Sequence, residues 1–237
     1  MKKNILFMTM LALVGMLLTS CSDDTSEGQS RITYYPSIEL EGDSYLVWEK
    51  GKAYEEPGYT SVMNGEDVSD KVTVSGSVDT SKSGIYKLTY TTMKNEDGFD
   101  ASTSRTVVVL DPNSAIEGFW HVDGDKSYRE YDGANVVYNR TNLEILIIDN
   151  GDGTLTVDDL LGGWYCQRAG YGDSYALAGT LGIDADGNLS YIESYLIGWA
   201  DSATGLTGKY DAATNHISWV CEYTDYPFFF HVELDKE

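Results

Sequence analysis

The chain has 237 residues, of which 42% are hydrophobic and 12% aromatic, with only 4 prolines; such a composition supports a packed core and excludes collagen-like, low-complexity and wholly disordered classes. Its 38 acidic residues outnumber 16 basic ones, for a formal charge of −22, so the surface repels phosphate backbones, and neither nucleic acid nor anionic lipid is expected as a partner. At roughly 100–200 residues per domain, this length makes one large or two small domains.

The chain opens with Met1-Lys2-Lys3, followed by an apolar run from Asn4 to Leu18. A short basic start and an apolar run below the ~20 residues that span a bilayer read as a cleaved secretory signal over residues 1–20. The junction Leu18-Thr19-Ser20-Cys21 resembles the lipobox of bacterial lipoproteins. That resemblance implies cleavage before Cys21, acylation of its thiol and attachment to the outer membrane. Residues 21–31, rich in Ser, Asp, Gly and Thr, form the lipidated flexible tether. The acidic run Ser22-Asp23-Asp24 with Glu27 resembles the surface-export signal of lipoproteins that accompany SusC/SusD-type importers.

Beyond the tether the sequence predicts an all-β protein. Alternating runs rich in β-branched and aromatic residues occur at 71–75, 85–90, 106–110, 143–148, 154–157, 189–192, 216–220 and 229–234, the two-residue period of half-buried strands. Turn-formers separate them at Asn64-Gly65, Asn150-Gly151-Asp152-Gly153, Asp186-Gly187-Asn188 and 211–215, and no segment carries a sustained helical period. Leu110-Asp111-Pro112-Asn113-Ser114 breaks a Val-rich strand and divides the chain into domains at 32–111 and 115–237.

In the first domain the order Gly51, Tyr54, Pro57-Gly58-Tyr59, then Asn64 to Gly76, Val78 to Tyr90 and Arg105 to Val109 resembles the bacterial immunoglobulin-like module of surface lipoproteins. That resemblance implies an Ig-like β-sandwich serving as a stalk or adhesion scaffold, with Pro57-Gly58 turning the chain and Asp79 to Gly84 bending it before a central strand. The second domain holds 19 of the 29 aromatic residues, so a binding site is expected there. Its opening Gly118-Phe119-Trp120 resembles the start of lipocalin-like barrels; strand order and hairpin spacing fit an antiparallel barrel or a sandwich equally.

Several motifs invite chemistry. Asn150, Asp152, Gly153, Leu155 and Asp159 could occupy EF-hand positions 3, 5, 6, 8 and 12, but position 1 falls on Ile148 and the flanks are strands, so a hairpin turn is expected. His121-Val122-Asp123-Gly124-Asp125 lacks a second cluster that could complete a zinc site. No nucleophile elbow, phosphate loop, dinucleotide fingerprint or metalloprotease motif is present. The expectation is therefore a non-catalytic protein without cofactor or metal. Cys166 and Cys221 each follow a tryptophan by two residues; on adjacent strands they could form a disulfide, while two buried thiols fit as well. Asn139-Arg140-Thr141 fits the N-glycosylation sequon, which means little in a bacterial lipoprotein. Asp201-Ser202-Ala203 resembles a bacterial O-glycosylation site, placing a sugar on Ser202.

Aromatic recognition remains. Tyr171, Tyr175, Tyr195, Trp199, Tyr223 and Tyr226 stand beside Gly, Ser and Asp where turns fall, and rigid amphipathic rings there can stack on sugar faces or pack against peptide side chains. Trp120, Trp164 and Trp219, within apolar runs, are expected in the core. The chain as a whole resembles the auxiliary lipoproteins of SusC/SusD-type nutrient importers, which implies an accessory subunit capturing an oligosaccharide or peptide. A structural or adhesion lipoprotein would instead bury these tyrosines, and a hydrolase would show two apposed carboxylates in a cleft.

Overall fold

The computed structural model describes residues 31–223 and 227–236; the leader, Cys21 and Tyr226 lie outside them. The first half contains β1 (Ser37–Leu40), β2 (Tyr45–Glu49), β3 (Tyr59–Met63), β4 (Glu66–Asp67), β5 (Thr73–Ser75), β6 (Gly84–Thr91) and β7 (Ser102–Leu110). They form two sheets of order β1-β3-β4 and β2-β7-β6-β5, with β2 parallel to β7. This is the Ig-like sandwich. Asp79 accepts both the N–H and the hydroxyl of Ser81, which makes the bend ahead of β6. Of the run at 71–75, only Thr73–Ser75 is strand, because Ser69–Lys71 winds into a 3-10 turn.

Arg105, fully buried on β7, clamps the sandwich. Its guanidinium donates to the carbonyls of Asp43, Glu41 and Gly58 and lies 3.1 Å from the Glu56 carboxylate. A buried charge persists only with such partners.

The second half contains β8 (Gly118–Val122), β9 (Tyr128–Tyr131), β10 (Ala134–Val137), β11 (Glu144–Asp149), β12 (Thr154–Val157), β13 (Leu177–Ile183), β14 (Asn188–Leu196), β15 (Gly205–Asp211), β16 (His216–Tyr223) and β17 (Phe228–Asp235). Sequential neighbours pair antiparallel from β11 to β17, β8 pairs with β11, and β17 pairs back onto β8. The domain is thus a closed eight-stranded up-and-down barrel, which decides between the two architectures the sequence left open. The β9–β10 hairpin continues the first stave, with β9 lying along the N-terminal half of β17. Closure removes sheet edges, and the inward set fills the interior: Trp120, Ile145, Leu155, Leu181, Ile217, Trp219 and Val232 are all buried. Trp120, from the lipocalin-like opening, donates its indole N–H to the Ile116 carbonyl at 2.8 Å.

The two halves meet on the outside of the barrel. Val108 and Leu110 of β7 pack on Leu146 and Ile148 of β11, whose side chains point away from the barrel interior. Buried Glu117 ties the linker by accepting from Ser83 and from the Asp111 N–H.

Candidate functional site at the barrel mouth

Register places the long connections at one end of the barrel. Leu177 pairs with Leu196, Gly205 with Glu222, and Tyr223 with Phe228, which also pairs with Tyr131. The segments 158–176 and 197–204 therefore converge on the paired ends of β16 and β17, while tight turns occupy the opposite end.

The 158–176 connection is folded inward around Asp159. This fully buried carboxylate accepts the N–H groups of Leu161 (2.9 Å), Gly163 (3.1 Å) and Leu177 (3.0 Å) and the Cys166 thiol (3.1 Å). Burial pushes its pKa up against the pull of these donors. The Leu160 carbonyl accepts from the Trp219 indole and the Leu161 carbonyl from the Tyr138 hydroxyl, so Leu160 and Leu161 plug the barrel below the mouth. Gly162 and Gly163 both take left-handed backbone. A Cβ on Gly162 would also fall 2.9 Å from Val232, so only glycine fits there. After this double break the chain makes a π-helical turn, Trp164–Arg168.

That turn corrects the sequence reading of the cysteines. Trp164-Tyr165-Cys166 is not a strand, and Cys166 and Cys221 are free buried thiols, with Cys166 engaged by Asp159 instead of a second sulfur. Burial, then the Asp159 charge, raises both thiol pKa values, so these are unreactive packing groups. The expected hairpin at 149–153 is present, its Asp149 and Asp152 carboxylates accepting backbone N–H groups of the turn. Near the second motif, Asp123 likewise caps a turn, accepting from Asp125 and Lys126. Among the described residues no cluster of His, Cys, Asp and Glu is arranged to hold a metal.

The structure brings most of the nominated aromatics together. Trp199 is the hub: its ring lies 4.7 Å from Tyr165, 5.0 Å from Tyr175 and 6.3 Å from Tyr171, each edge-on, a favoured aromatic geometry. Tyr175 rests on the backbone of Gly198, where a Cβ would fall 2.6 Å from the ring, and Gly198 donates to the Ser174 carbonyl. Ala200 holds left-handed backbone, a strained conformation that turns the chain immediately after Trp199. Beside the hub opens a pocket of about 470 Å³ lined by Tyr165, Trp199, Asp201, Tyr223 and Phe228. The Tyr223 hydroxyl is buried without a closed hydrogen bond; burial and the facing Asp201 carboxylate raise its pKa. Asp201 also accepts the Ser202 N–H, and Ser202 itself is exposed at the rim.

Tyr195 departs from expectation. It is 54% exposed and stands on the outer face of β14, because a bulge between Thr180 and Leu181 of β13 and the facing strand leaves Ile192 unpaired and reverses the alternation. Phe228 and Arg129 belong to the site but were not singled out by sequence, and Tyr165, whose ring stands out beside Trp164, was left outside the nominated set. The Arg129 guanidinium lies 4.8 Å from both the Trp164 and the Phe228 ring centroids. A larger depression of about 700 Å³ lined by Phe119, His121, Thr141, Asn142, Glu144 and Lys236 lacks stacked rings.

Residues 38–109 match the family model of the bacterial surface protein Ig-like domain, and residues 110–236 match a model described as the C-terminal domain of its family. The lipoprotein BT2262 from Bacteroides thetaiotaomicron, known from a crystal structure, is 37% identical over 85% of this chain and 100% of that chain, with a TM-score of 0.65. None of the curated proteins matches the chain.

Proposed function

The chain belongs to the family of the lipoprotein BT2262, and on that premise we propose that it is a lipid-anchored surface protein whose barrel mouth captures a ligand. Cys21 carries the lipid, the Ig-like module lifts the barrel off the outer membrane, and the mouth holds an oligosaccharide or peptide for a SusC/SusD-type importer. The role is non-catalytic binding. The observation that carries this reading is the pocket itself, where four aromatic side chains and one carboxylate line about 470 Å³. Partly solvated rings supply apolar platforms, and Asp201 with the unpartnered Tyr223 hydroxyl supplies directional hydrogen bonds.

Exposure favours capture over a purely structural role. Tyr171 is 56% and Trp199 44% exposed, whereas rings serving only a core would be covered. Asp201 is the one carboxylate lining the pocket among the described residues, and Asp159 is fully buried within the 158–176 connection. Affinity purification of the tagged lipoprotein from its native outer membrane, followed by mass spectrometry, tests the importer link. Recovery with an importer pair supports it; recovery of the lipoprotein alone contradicts it.

A further inference from the structure

The protein has five arginines and a formal charge of −22, so each arginine has abundant carboxylates to choose from. Two of them follow that expectation: Arg31 pairs with Glu96 and Asp97, and Arg105 with Glu56. The other three, Arg129, Arg140 and Arg168, gather at the barrel mouth, and among the described residues no carboxylate lies within ion-pair distance of any of them.

Their placement is built into the fold. Two guanidiniums lie against Trp164, Arg168 at 4.0 Å and Arg129 at 4.8 Å from its ring centroid. Arg168 donates to the Tyr138 and Val137 carbonyls. The Arg140 backbone is fixed by the Asn139 N–H, which donates to the Gly124 carbonyl at 2.7 Å; a Cβ on Gly124 would collide with the Arg140 backbone. Arg140 donates to the carbonyl of Asn139, the residue after the Tyr138 carbonyl that Arg168 holds, and Arg129 shares the Trp164 ring with Arg168; burial and then the charges of Arg140 and Arg129 push the Arg168 guanidinium below its ordinary value. Arg129 leaves its Nε buried and unpartnered. It also adjoins the pocket, lying against Phe228 and beside the Tyr165 hydroxyl. Bringing like charges together without counter-ions costs free energy that a bound anion would return.

We propose that Arg129, Arg140 and Arg168 form an anion-binding subsite of the mouth, and that the captured ligand is an acidic saccharide bearing a carboxylate or sulfate. Its ring stacks on Tyr165 and Trp199 while the anionic group enters the guanidinium cluster, whose planar forks suit both oxyanions. This proposal rests on the mouth being the ligand site and goes further by fixing the ligand's charge.

The test compares a trigalacturonate probe with its fully methyl-esterified form, which keeps the sugar rings and removes the charge, and adds a sulfated disaccharide and a short peptide with a free C-terminal carboxylate. Binding to the full chain is followed by calorimetry at two salt concentrations. The expected result is that a charged saccharide binds about tenfold or more tighter than its neutral counterpart at low salt, with the preference shrinking as salt rises. Arg140→Gln, on an exposed side chain, should keep the melting temperature and reduce that preference several-fold, while Arg140→Lys retains part of it. Equal binding of charged and neutral saccharides overturns the anion subsite but leaves the mouth as a binding site. Binding of the peptide alone overturns the saccharide. Absence of binding by every probe, with the Trp199→Ala variant indistinguishable from wild type, overturns both readings.

Discussion

Replacing Asp159 should dismantle the mouth from below, and the structure sets the size of the effect. Asp159→Ala leaves the N–H groups of Leu161, Gly163 and Leu177 without their acceptor in a sealed interior. At ~1–3 kcal/mol for each stranded donor, tempered by relief of the carboxylate's own desolvation, the loss should be about 3–4 kcal/mol. Asp159→Asn discriminates further. Oδ1 accepts from Leu161 and Leu177, which an amide oxygen can still do, whereas Oδ2 accepts from Gly163 and the Cys166 thiol, where an amide NH2 would face two donors. Asparagine should therefore cost about 1–2 kcal/mol, roughly half the alanine penalty. Urea unfolding followed by tryptophan fluorescence measures both, because Trp164 sits in the turn that Asp159 organises. Two variants within about 0.5 kcal/mol of wild type, or asparagine as damaging as alanine, would refute this account of the loop.

Other consequences are equally specific. Trp199→Ala removes the hub of the ring cluster from a partly exposed position; stability should fall by no more than about 1 kcal/mol while ligand affinity falls about tenfold or more, read by denaturation and calorimetry. Arg105→Met breaks the clamp on three carbonyls and strands Glu56, and should destabilise the Ig-like sandwich by about 3–5 kcal/mol in urea melts. Asp158, beside Tyr45 at the junction of the two halves, is raised to about 7 by burial and then by Asp159, against hydrogen bonding to the Leu146 N–H. A carboxyl with a raised folded-state pKa gives stability that is fully present below its unfolded value and lost as pH rises through the folded one. Denaturation midpoints should thus fall between about pH 4 and 7, by an amount on the order of 4 kcal/mol, and Asp158→Asn should flatten that slope. The thiols of Cys166 and Cys221 should resist alkylation until the protein unfolds, and a reducing agent should leave the melting temperature unchanged.

Much of the barrel was legible because period-2 alternation survives wherever one strand face meets a core, as in Thr154–Val157 and His216–Tyr223. Closure was not, since it depends on Leu234 and Asp235 meeting Val122 and His121 more than a hundred residues away, a pairing that no local pattern announces. The site was half legible. Tyr171, Tyr175, Trp199 and Tyr223 stood out as rings near turn residues, but Tyr165 was left outside the nominated set because it falls in an apparent strand that Gly162-Gly163 breaks. That glycine pair was the available signal. Tyr195 misled because one bulged residue reverses a strand's faces, and Arg129, on a short mixed strand, gains its meaning only when Trp164 and Phe228 close around it.

The most direct test of the barrel mouth as a capture site is a combined glycan and peptide array probed with wild-type protein and with the Tyr165→Ala/Trp199→Ala double variant, both first shown to be folded. The account predicts a defined set of ligands for wild type that disappears in the double variant. Ligands retained by the variant, or none captured by the wild-type protein, would contradict it.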